Sequence, residues 1–241
     1  MRIESFGPQQ AIATYDKPDH ALTSVRKPLP HDSAPRHVTG TAQYIDDIPE
    51  PAGLLHIAIG GASKSAGKLL SLDVSAVQSY PGVVAVIMAK DVPGRNDISP
   101  VAGDEPAFAD GDILYHQQPV FAVIAETRDA ARRAARLGRM DITEIKPLVT
   151  VADALAANSM VQPDYAFVRG DVEISLAEAS HCIKDTFYIG GQEHFYLEGQ
   201  VALATPGEGG DMHVYSSTQH PTEIQHVVAR EIGRASCRER V

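Results

Sequence analysis

Cysteine is scarce in this chain, which has only Cys182 and Cys237 among its 241 residues. Cys237 lies in a C-terminal stretch that does not continue the pattern before it, so Cys182 is the one cysteine to consider. A single cysteine cannot form an internal disulfide, and the chain has neither a CxxC pair nor a Cys/His zinc spacing. It also cannot ligate an iron–sulfur cluster by itself. We therefore expect a cytoplasmic protein without a disulfide or zinc scaffold.

The chain also has fewer basic than acidic residues, and it has no long apolar run. The chain has 21 Lys and Arg against 31 Asp and Glu, a formal net charge of −10. An acidic chain repels polyanions, which argues against nucleic acid as a partner. No apolar run approaches the length of a membrane span, and residues 1–30 lack the hydrophobic centre of a signal peptide. A glycine pair at 60–61 is not followed by a P-loop pattern.

The last ten residues, 232–241, read IGRASCRERV and interrupt the helical pattern that precedes them. This string is what a common sequencing adapter encodes when it is translated in frame. We therefore expect 232–241 not to be native, and the chain to be the N-terminal part of a longer protein. The alternative is a genuine basic tail, which would require a stop codon directly after Val241.

Apolar periodicity predicts alternating strands and helices in the first part of the chain. Strands are predicted at 54–59, 83–88, 119–126 and 139–145, and helices at 74–80 and 128–137. Thr127 is a candidate cap of the second helix, whose arginines we interpret as a solvated face rather than an anion site. The alternation predicts a compact α+β domain at 30–150, preceded by an extended or disordered segment at 1–29.

The rest of the chain follows a different pattern. A short helix at 150–160 lies in a predicted linker, 151–169. A second domain is predicted to begin at 170 and to run to 231. It would hold strands at 183–189, 194–204 and 212–217, with a glycine-rich turn at 207–211. Pro221 marks the first turn of a final helix, with Thr218 as a candidate cap.

The most informative segment is 190–198, with the sequence GGQEHFYLE. It is too polar for an ordinary core strand and too aromatic for an ordinary loop. Its two glycines allow a close backbone approach or a sharp bend, and the neutral amide of Gln192 follows them directly. The pattern is typical of a strand entry that presents a glutamine to a bound group, although a turn-capping glutamine fits the spacing as well.

Three groups of segments resemble one family, that of xanthine dehydrogenase and aldehyde oxidase. Residues 36–49 resemble the opening of its hammerhead domain, and residues 72–73, 81–86 and 118–127 continue that domain in the same order. Residues 190–198 and 217–221 resemble the start of its molybdopterin-binding domain. The hammerhead segments mark the superfamily only. The complete GGQEHFYLE run is more specific than the hammerhead segments. It resembles the xanthine dehydrogenase branch of the family, since many aldehyde-type relatives carry a different segment at this position.

The resemblance implies an α+β fold, with an α/β hammerhead domain followed by the truncated start of a molybdopterin-binding α+β domain. It places Gln192 beside molybdenum, hydrogen-bonded to an oxygen ligand of the metal, and Gly191 against the molybdopterin. A neutral amide can hold a metal-oxo group without adding charge. The resemblance leaves Glu193, His194, Phe195 and Glu198 as structural support around that site.

The implied reaction is hydroxylation of purines, from hypoxanthine to xanthine to urate, with water as the oxygen source. In the family, electrons leave through 2Fe-2S clusters and FAD, which would lie on partner subunits or domains of a hetero-oligomer. The family's glycine-rich cofactor motif, its substrate-binding Glu and Arg, and its catalytic Glu are absent from this sequence. The general base is therefore expected downstream.

Two alternatives remain open on the sequence. The chain could come from a related molybdenum hydroxylase that acts on aldehydes or other N-heterocycles. It could also be a non-enzymatic, shortened paralogue that serves as an assembly module. If the chain is a truncated hydroxylase, we expect the 241 residues alone to lack hydroxylase activity, to retain no molybdopterin and to aggregate through the incomplete second domain.

Overall fold

A computed structural model describes residues 27–101 and 103–234. The chain separates into two units, Met1–Tyr44 and Ile45–Val241. In the first unit, helix α1 (Ala34–Thr39) carries a proline in its first turn and ends at Gly40, whose φ of 72° favours glycine. Most of the segment expected to be extended or disordered, 1–26, lies outside the described residues.

The second unit contains five of the six α-helices and all of the strands among the described residues. In chain order they are a 3₁₀ turn at Ile45–Asp47, β1 (His56–Gly61), β2 (Gly67–Asp73), α2 (Ser75–Gln78), β3 (Val83–Met88), β4 (Asp112–Ile113), β5 (Pro119–Ala125), α3 (Arg128–Ala135), β6 (Arg139–Glu144), α4 (Val151–Ala156), α5 (Val172–Glu178), β7 (Ala202–Pro206), β8 (Met212–Ser216) and α6 (Pro221–Glu231). None of the helices in 27–101 and 103–234 combines the length and the apolar composition needed to cross a bilayer.

The strands form two three-stranded sheets and a hairpin. One sheet has the order β1-β5-β3, the other has the order β4-β2-β6, and β7 pairs with β8. Every pairing is antiparallel. Antiparallel sheets with helices beside them constitute an α+β arrangement, which confirms the predicted fold class.

The core lies around β5, the central strand of the first sheet. Val120, Phe121 and Val123 are almost completely buried on it. The Phe121 ring occupies the space where a Cβ would stand at Gly60, its cross-strand partner, and at Gly138. These two glycines let β1 and the residues just before β6 approach the ring. Because β5 is the central strand and most of its residues are buried, it has a continuous apolar run.

Helix α3 confirms the prediction made for 128–137, apart from its last two residues. The side chain of Thr127 accepts a hydrogen bond from the Ala130 amide and so caps the helix. Ala131 and Ala134 form its buried face, while the arginines stand on the exposed side. Small residues on the packed face allow the helix to lie close to β1 and β5.

The C-terminal end of α6 is held by the loop at 94–99. The Gly94 amide donates to the Glu231 carbonyl at 2.8 Å, and the Arg95 amide donates to the Arg230 carbonyl at 3.1 Å. The Arg230 guanidinium also donates to the Ser99 carbonyl at 3.2 Å. The two backbone contacts satisfy carbonyls that the end of a helix leaves without intrahelical partners.

Several predicted elements of the first domain are confirmed. The strand at 83–88 has the predicted bounds, those at 119–126 and 139–145 are one residue shorter, and that at 54–59 begins two residues later. The helix at 74–80 shrinks to α2, where Asp73 accepts from the Ser75 amide at 2.9 Å. Strand β2 was not predicted, because the polar residues in GKLLSLD obscure its apolar alternation.

The predicted meander of the second domain is wrong in part. No strand forms at 183–189, and the strand predicted at 194–204 is reduced to β7, Ala202–Pro206. A strand requires a hydrogen-bonding partner, and no described segment pairs with 183–189. Helix α5, capped by Asp171, was not predicted. The hairpin turn at 207–211 and the strand at 212–216 are confirmed.

Thr218 does not cap α6. The N-cap position is His220, which makes no side-chain cap, and Pro221 stands in the first turn as predicted. The Thr218 hydroxyl instead accepts from the amide of His220 at 3.0 Å, and His220 directly precedes the first residue of the helix. Proline at the first helical position needs no amide acceptor there, which lowers the demand for a side-chain cap.

Candidate functional site

The segment GGQEHFYLE, 190–198, has no regular secondary structure in this chain. All of its residues are exposed except Glu198, which is half-buried. The prediction that this segment forms a strand entry is therefore wrong for this chain. An extended segment without a neighbouring strand has no ladder to join, so its backbone groups remain open to solvent or to another chain segment.

Gln192 stands free at the start of this segment. Its side chain is exposed and makes no hydrogen bond with any described residue. The glycines before it are equally open, since a Cβ built at Gly190 or Gly191 would meet no atom within 4 Å. An uncommitted amide behind two residues without side chains can approach a bound group closely and donate to it.

The backbone of Phe195 has an unusual conformation. Its φ of 51° lies in the left-handed region, which residues other than glycine rarely adopt. A carboxylate oxygen of Glu193 lies 3.4 Å from the Phe195 amide, which donates to it. The side chains of Phe195 and His194 both face solvent. This contact stabilises the local backbone conformation and leaves the neighbouring side chains free.

Glu198 fixes the end of the segment. Its carboxylate oxygen Oε1 accepts a hydrogen bond from the backbone amide of Ile45 at 3.2 Å. Ile45 opens the 3₁₀ turn Ile45–Asp47, whose first orphan amide is thereby satisfied. Two residues before Glu198, the Tyr196 hydroxyl accepts from the Gln200 side chain at 2.7 Å. Sequence spacing could not reveal the Glu198 contact, because its partner lies 153 positions away.

Large apolar side chains within and before the segment are exposed to solvent. Six of them are at least 82% exposed: Ile183, Phe187, Tyr188, Ile189, Phe195 and Leu197. Exposed apolar surface on this scale is unusual for a soluble domain and indicates a surface that other protein covers. The segment around Gln192 is therefore an open surface in this chain.

The acidic and imidazole side chains of the segment do not assemble a metal site. Within 27–101 and 103–234, no group of three or more His, Cys, Asp or Glu side chains is placed to hold a metal ion. Glu193 and His194 are exposed, and Glu198 is committed to the Ile45 amide. Any metal at this site would have to arrive with its own ligands, as part of a cofactor.

Two family models match the chain in sequence. Residues 39–146 match the α/β hammerhead domain of aldehyde oxidase and xanthine dehydrogenase. Residues 155–241 match the molybdopterin cofactor-binding domain. The Gln192 segment lies within the second match, and the sheet around β5 lies within the first.

Curated relatives match nearly the whole chain. The chain is 39% identical to xanthine dehydrogenase/oxidase of Gallus gallus over 216 residues, which cover 89% of the chain and 16% of that relative. It is 37% identical to xanthine dehydrogenase of Dictyostelium discoideum over 229 residues, 95% of the chain and 16% of that relative. The chain thus spans about one sixth of the length of these relatives.

Solved structures share the fold. The aldehyde oxidoreductase of Desulfovibrio gigas superposes with a TM-score of 0.74 at 27% identity, over 86% of this chain and 25% of that one. Quinoline 2-oxidoreductase of Pseudomonas putida 86 superposes with a TM-score of 0.69 over 85% of this chain and 28% of that one. At 22% identity, the second likeness shows the fold alone.

The described residues fit one edge of a molybdopterin site. The Gln192 amide can donate to an oxygen of the group, and the open backbone at 190–191 allows close approach. The described residues supply no walls around that edge, which agrees with the exposed apolar surface beside it. The two domain matches, the relatives and the shared fold together show that this chain belongs to the xanthine dehydrogenase/aldehyde oxidase family of molybdenum hydroxylases.

Proposed function

We propose that this chain provides the hammerhead domain and the first part of the molybdopterin-binding domain of a purine hydroxylase. The proposed reactions are oxidation of hypoxanthine to xanthine and of xanthine to urate, with water as the oxygen source. Support comes from relatives named xanthine dehydrogenase at 37–39% identity. Because those relatives are about six times longer, the activity is proposed for a protein of their length.

One observation carries the proposal: the uncommitted amide of Gln192, preceded by open glycines and followed by the anchor at Glu198. Gln192 would donate a hydrogen bond to an oxygen of the cofactor, and Gly191 would let the backbone lie against the pterin. The bound cofactor would supply the redox chemistry at the substrate carbon. Glu198 would position the segment, while Glu193, His194 and Phe195 would support it.

The remaining parts of the enzyme lie outside the described residues. We propose 2Fe-2S clusters and FAD on partner subunits or domains, a hetero-oligomer, a general base downstream, and a cytoplasmic location in keeping with the low cysteine content. We also propose domain bounds of 30–150 and 170–231 with a linker at 151–169. Helix α4 lies within that linker.

A second candidate function is oxidation of aldehydes. It is favoured by the fold shared with the aldehyde oxidoreductase of Desulfovibrio gigas, at 27% identity and a TM-score of 0.74. The GGQEHFYLE segment favours the purine reaction instead. An assembly module without activity would require 232–241 to be native and followed by a stop codon.

The test begins with the source DNA across codon 231, and continues with the protein of the open reading frame found there. We expect the purified protein to contain molybdenum and to oxidise xanthine and hypoxanthine faster than benzaldehyde. Gln192→Ala should lower kcat while the molybdenum content stays at or near that of the wild type. Gln200→Ala is the matched control, because that amide binds the Tyr196 hydroxyl.

Each alternative gives a different result. Faster oxidation of benzaldehyde than of xanthine would favour the aldehyde reaction. A reading frame that ends after Val241 would support the assembly module. Equal kcat for Gln192→Ala and Gln200→Ala would show that Gln192 has no role at the site, whatever the substrate.

A further inference from the structure

Strand β1 (His56–Gly61) is an edge strand with one unused side. It pairs with β5, and no backbone hydrogen bond joins its other side to any described residue. Edge strands are usually blunted by lysine, proline or early bulges, because free amides and carbonyls invite another strand. In β1 the register shifts only at Gly60/Gly61, and Ile57 and Ile59 are 67% and 50% exposed.

A cavity of about 610 Å³ borders this strand. Its lining includes residues 57–61 of β1, Arg132 and Arg136 of α3, and Met140 of β6. We call this cavity and the free edge of β1 the β1 groove. The groove brings together two features that the sequence left separate: the glycine pair at 60–61 and the arginine-rich helix.

The two arginines in the groove are without partners among the described residues. Arg132 and Arg136 are exposed, one helical turn apart, and make no ion pair or side-chain hydrogen bond there. Neighbouring arginines of the same helix are committed. Arg133 lies 2.9 Å from Asp129, and Arg128 lies 3.2 Å from Glu50. In a chain of net charge −10, the β1 groove is thus a local concentration of positive charge.

We propose that the β1 groove docks an extended acidic segment of a partner polypeptide. The segment adds as a strand to the free edge of β1, and its backbone pairs with the unused amides and carbonyls. Alternate side chains point to opposite sides of a strand, so carboxylates can reach Arg132 and Arg136 while apolar side chains cover Ile57 and Ile59. This docking goes beyond the proposed reaction and does not depend on it.

The probe is a dye-labelled five-residue peptide of alternating valine and glutamate, titrated with the 241-residue chain and followed by fluorescence anisotropy. We expect saturable binding that weakens with added salt. A matched peptide with lysine in place of glutamate should not bind. A third peptide, methylated on the backbone nitrogens that face β1, should bind about tenfold more weakly because it cannot pair as a strand.

Variants on α3 test the role of charge. We expect Arg132→Gln and Arg136→Gln each to weaken binding by about threefold, a size typical of exposed ion pairs. Arg133→Gln makes the same change of charge on the same helix and should leave binding unchanged. All three positions are exposed, so circular dichroism spectra should match the wild type.

Three results would overturn the proposal. Equal binding of the lysine peptide would show that binding does not depend on charge complementarity. Equal loss in Arg133→Gln would place the effect outside the β1 groove. Full binding of the methylated peptide, displaced by inorganic phosphate, would show a small-anion site instead of strand addition.

Discussion

The carboxylate of Glu231 lies 2.8 Å from the backbone nitrogen of Asp97, a residue 134 positions earlier in the chain. The Glu231 carbonyl accepts from Gly94 in the same loop. The end of α6 belongs to the molybdopterin-domain match, whereas the loop at 94–99 belongs to the hammerhead match. We therefore expect these two parts to lose structure together when the chain unfolds.

Replacing Glu231 with alanine tests this connection. The Asp97 amide also donates to the Arg95 carbonyl at 2.8 Å, so it keeps one acceptor in the variant. We expect the free energy of unfolding to fall by about 1 kcal/mol, measured by urea titration. Glu223→Ala on the same helix is the control, because Glu223 makes only a 3.7 Å contact with His220. Equal losses in both variants would contradict a specific role for Glu231.

The carboxylate of Asp97 should make stability depend on pH. Hydrogen bonds from the hydroxyl and the amide of Ser99 lower its pKa, and Arg95, 2.9 Å away, lowers it further. A carboxyl whose folded pKa is depressed stabilises the fold above its unfolded pKa of about 3.9. That contribution is lost as the pH falls through the folded pKa.

Asp97→Asn is therefore expected to lower the urea midpoint at pH 7. The difference from the wild type should begin to shrink below about pH 4, where the carboxyl of the unfolded chain takes up a proton, and should be lost below the depressed folded pKa of Asp97. Asp164→Asn, at an exposed position, controls for the change in net charge. A difference that stays constant from pH 7 to pH 3 would show that the Asp97 charge is not involved.

Gly60 should tolerate no side chain. A Cβ at this position would overlap the ring of Phe121, which is completely buried. We expect Gly60→Ala to lower the free energy of unfolding by about 1–3 kcal/mol, as overpacking of a core does. Gly190→Ala should have little effect, because no atom lies within 4 Å of a Cβ built there. Differential scanning calorimetry of both variants would show whether the Phe121 contact decides the difference.

Glu198 should hold the 190–198 segment in place. Its bond to the Ile45 amide is the described contact that reaches from this segment to the 3₁₀ turn Ile45–Asp47. We expect Glu198→Ala to speed chymotrypsin cleavage after Phe195 and Tyr196, because local opening becomes easier. Glu193→Ala removes only the contact with the Phe195 amide and should have a smaller effect. Identical cleavage rates for both variants would contradict the anchoring role.

The exposed apolar surface around 183–197 should make the chain associate with itself. Phe187, Tyr188 and Ile189 each expose more than four fifths of their surface. We expect light scattering to show oligomers that grow with concentration, and the purified chain to contain no molybdenum and to leave xanthine unchanged. A monodisperse monomer that oxidises xanthine would contradict both the association and the need for further chain.

The sequence determined the elements whose pattern is complete within a few residues. The strands at 83–88 and 119–125 follow from uninterrupted apolar runs, and α3 follows from the Thr127 cap and the alanine face. The hairpin turn at 207–211 follows from its glycines. The family, too, could be recognised from short segments in the right order.

Only the tertiary structure decided which segments find partners. The apolar residues at 183–189 predict a strand, yet no described strand lies beside them, so the ladder does not form. The contacts of Glu198 with Ile45 and of Glu231 with Asp97 join residues 153 and 134 positions apart, beyond any local pattern. Secondary-structure propensity depends on residues that are close in sequence, whereas pairing between distant segments depends on where the whole fold places each backbone.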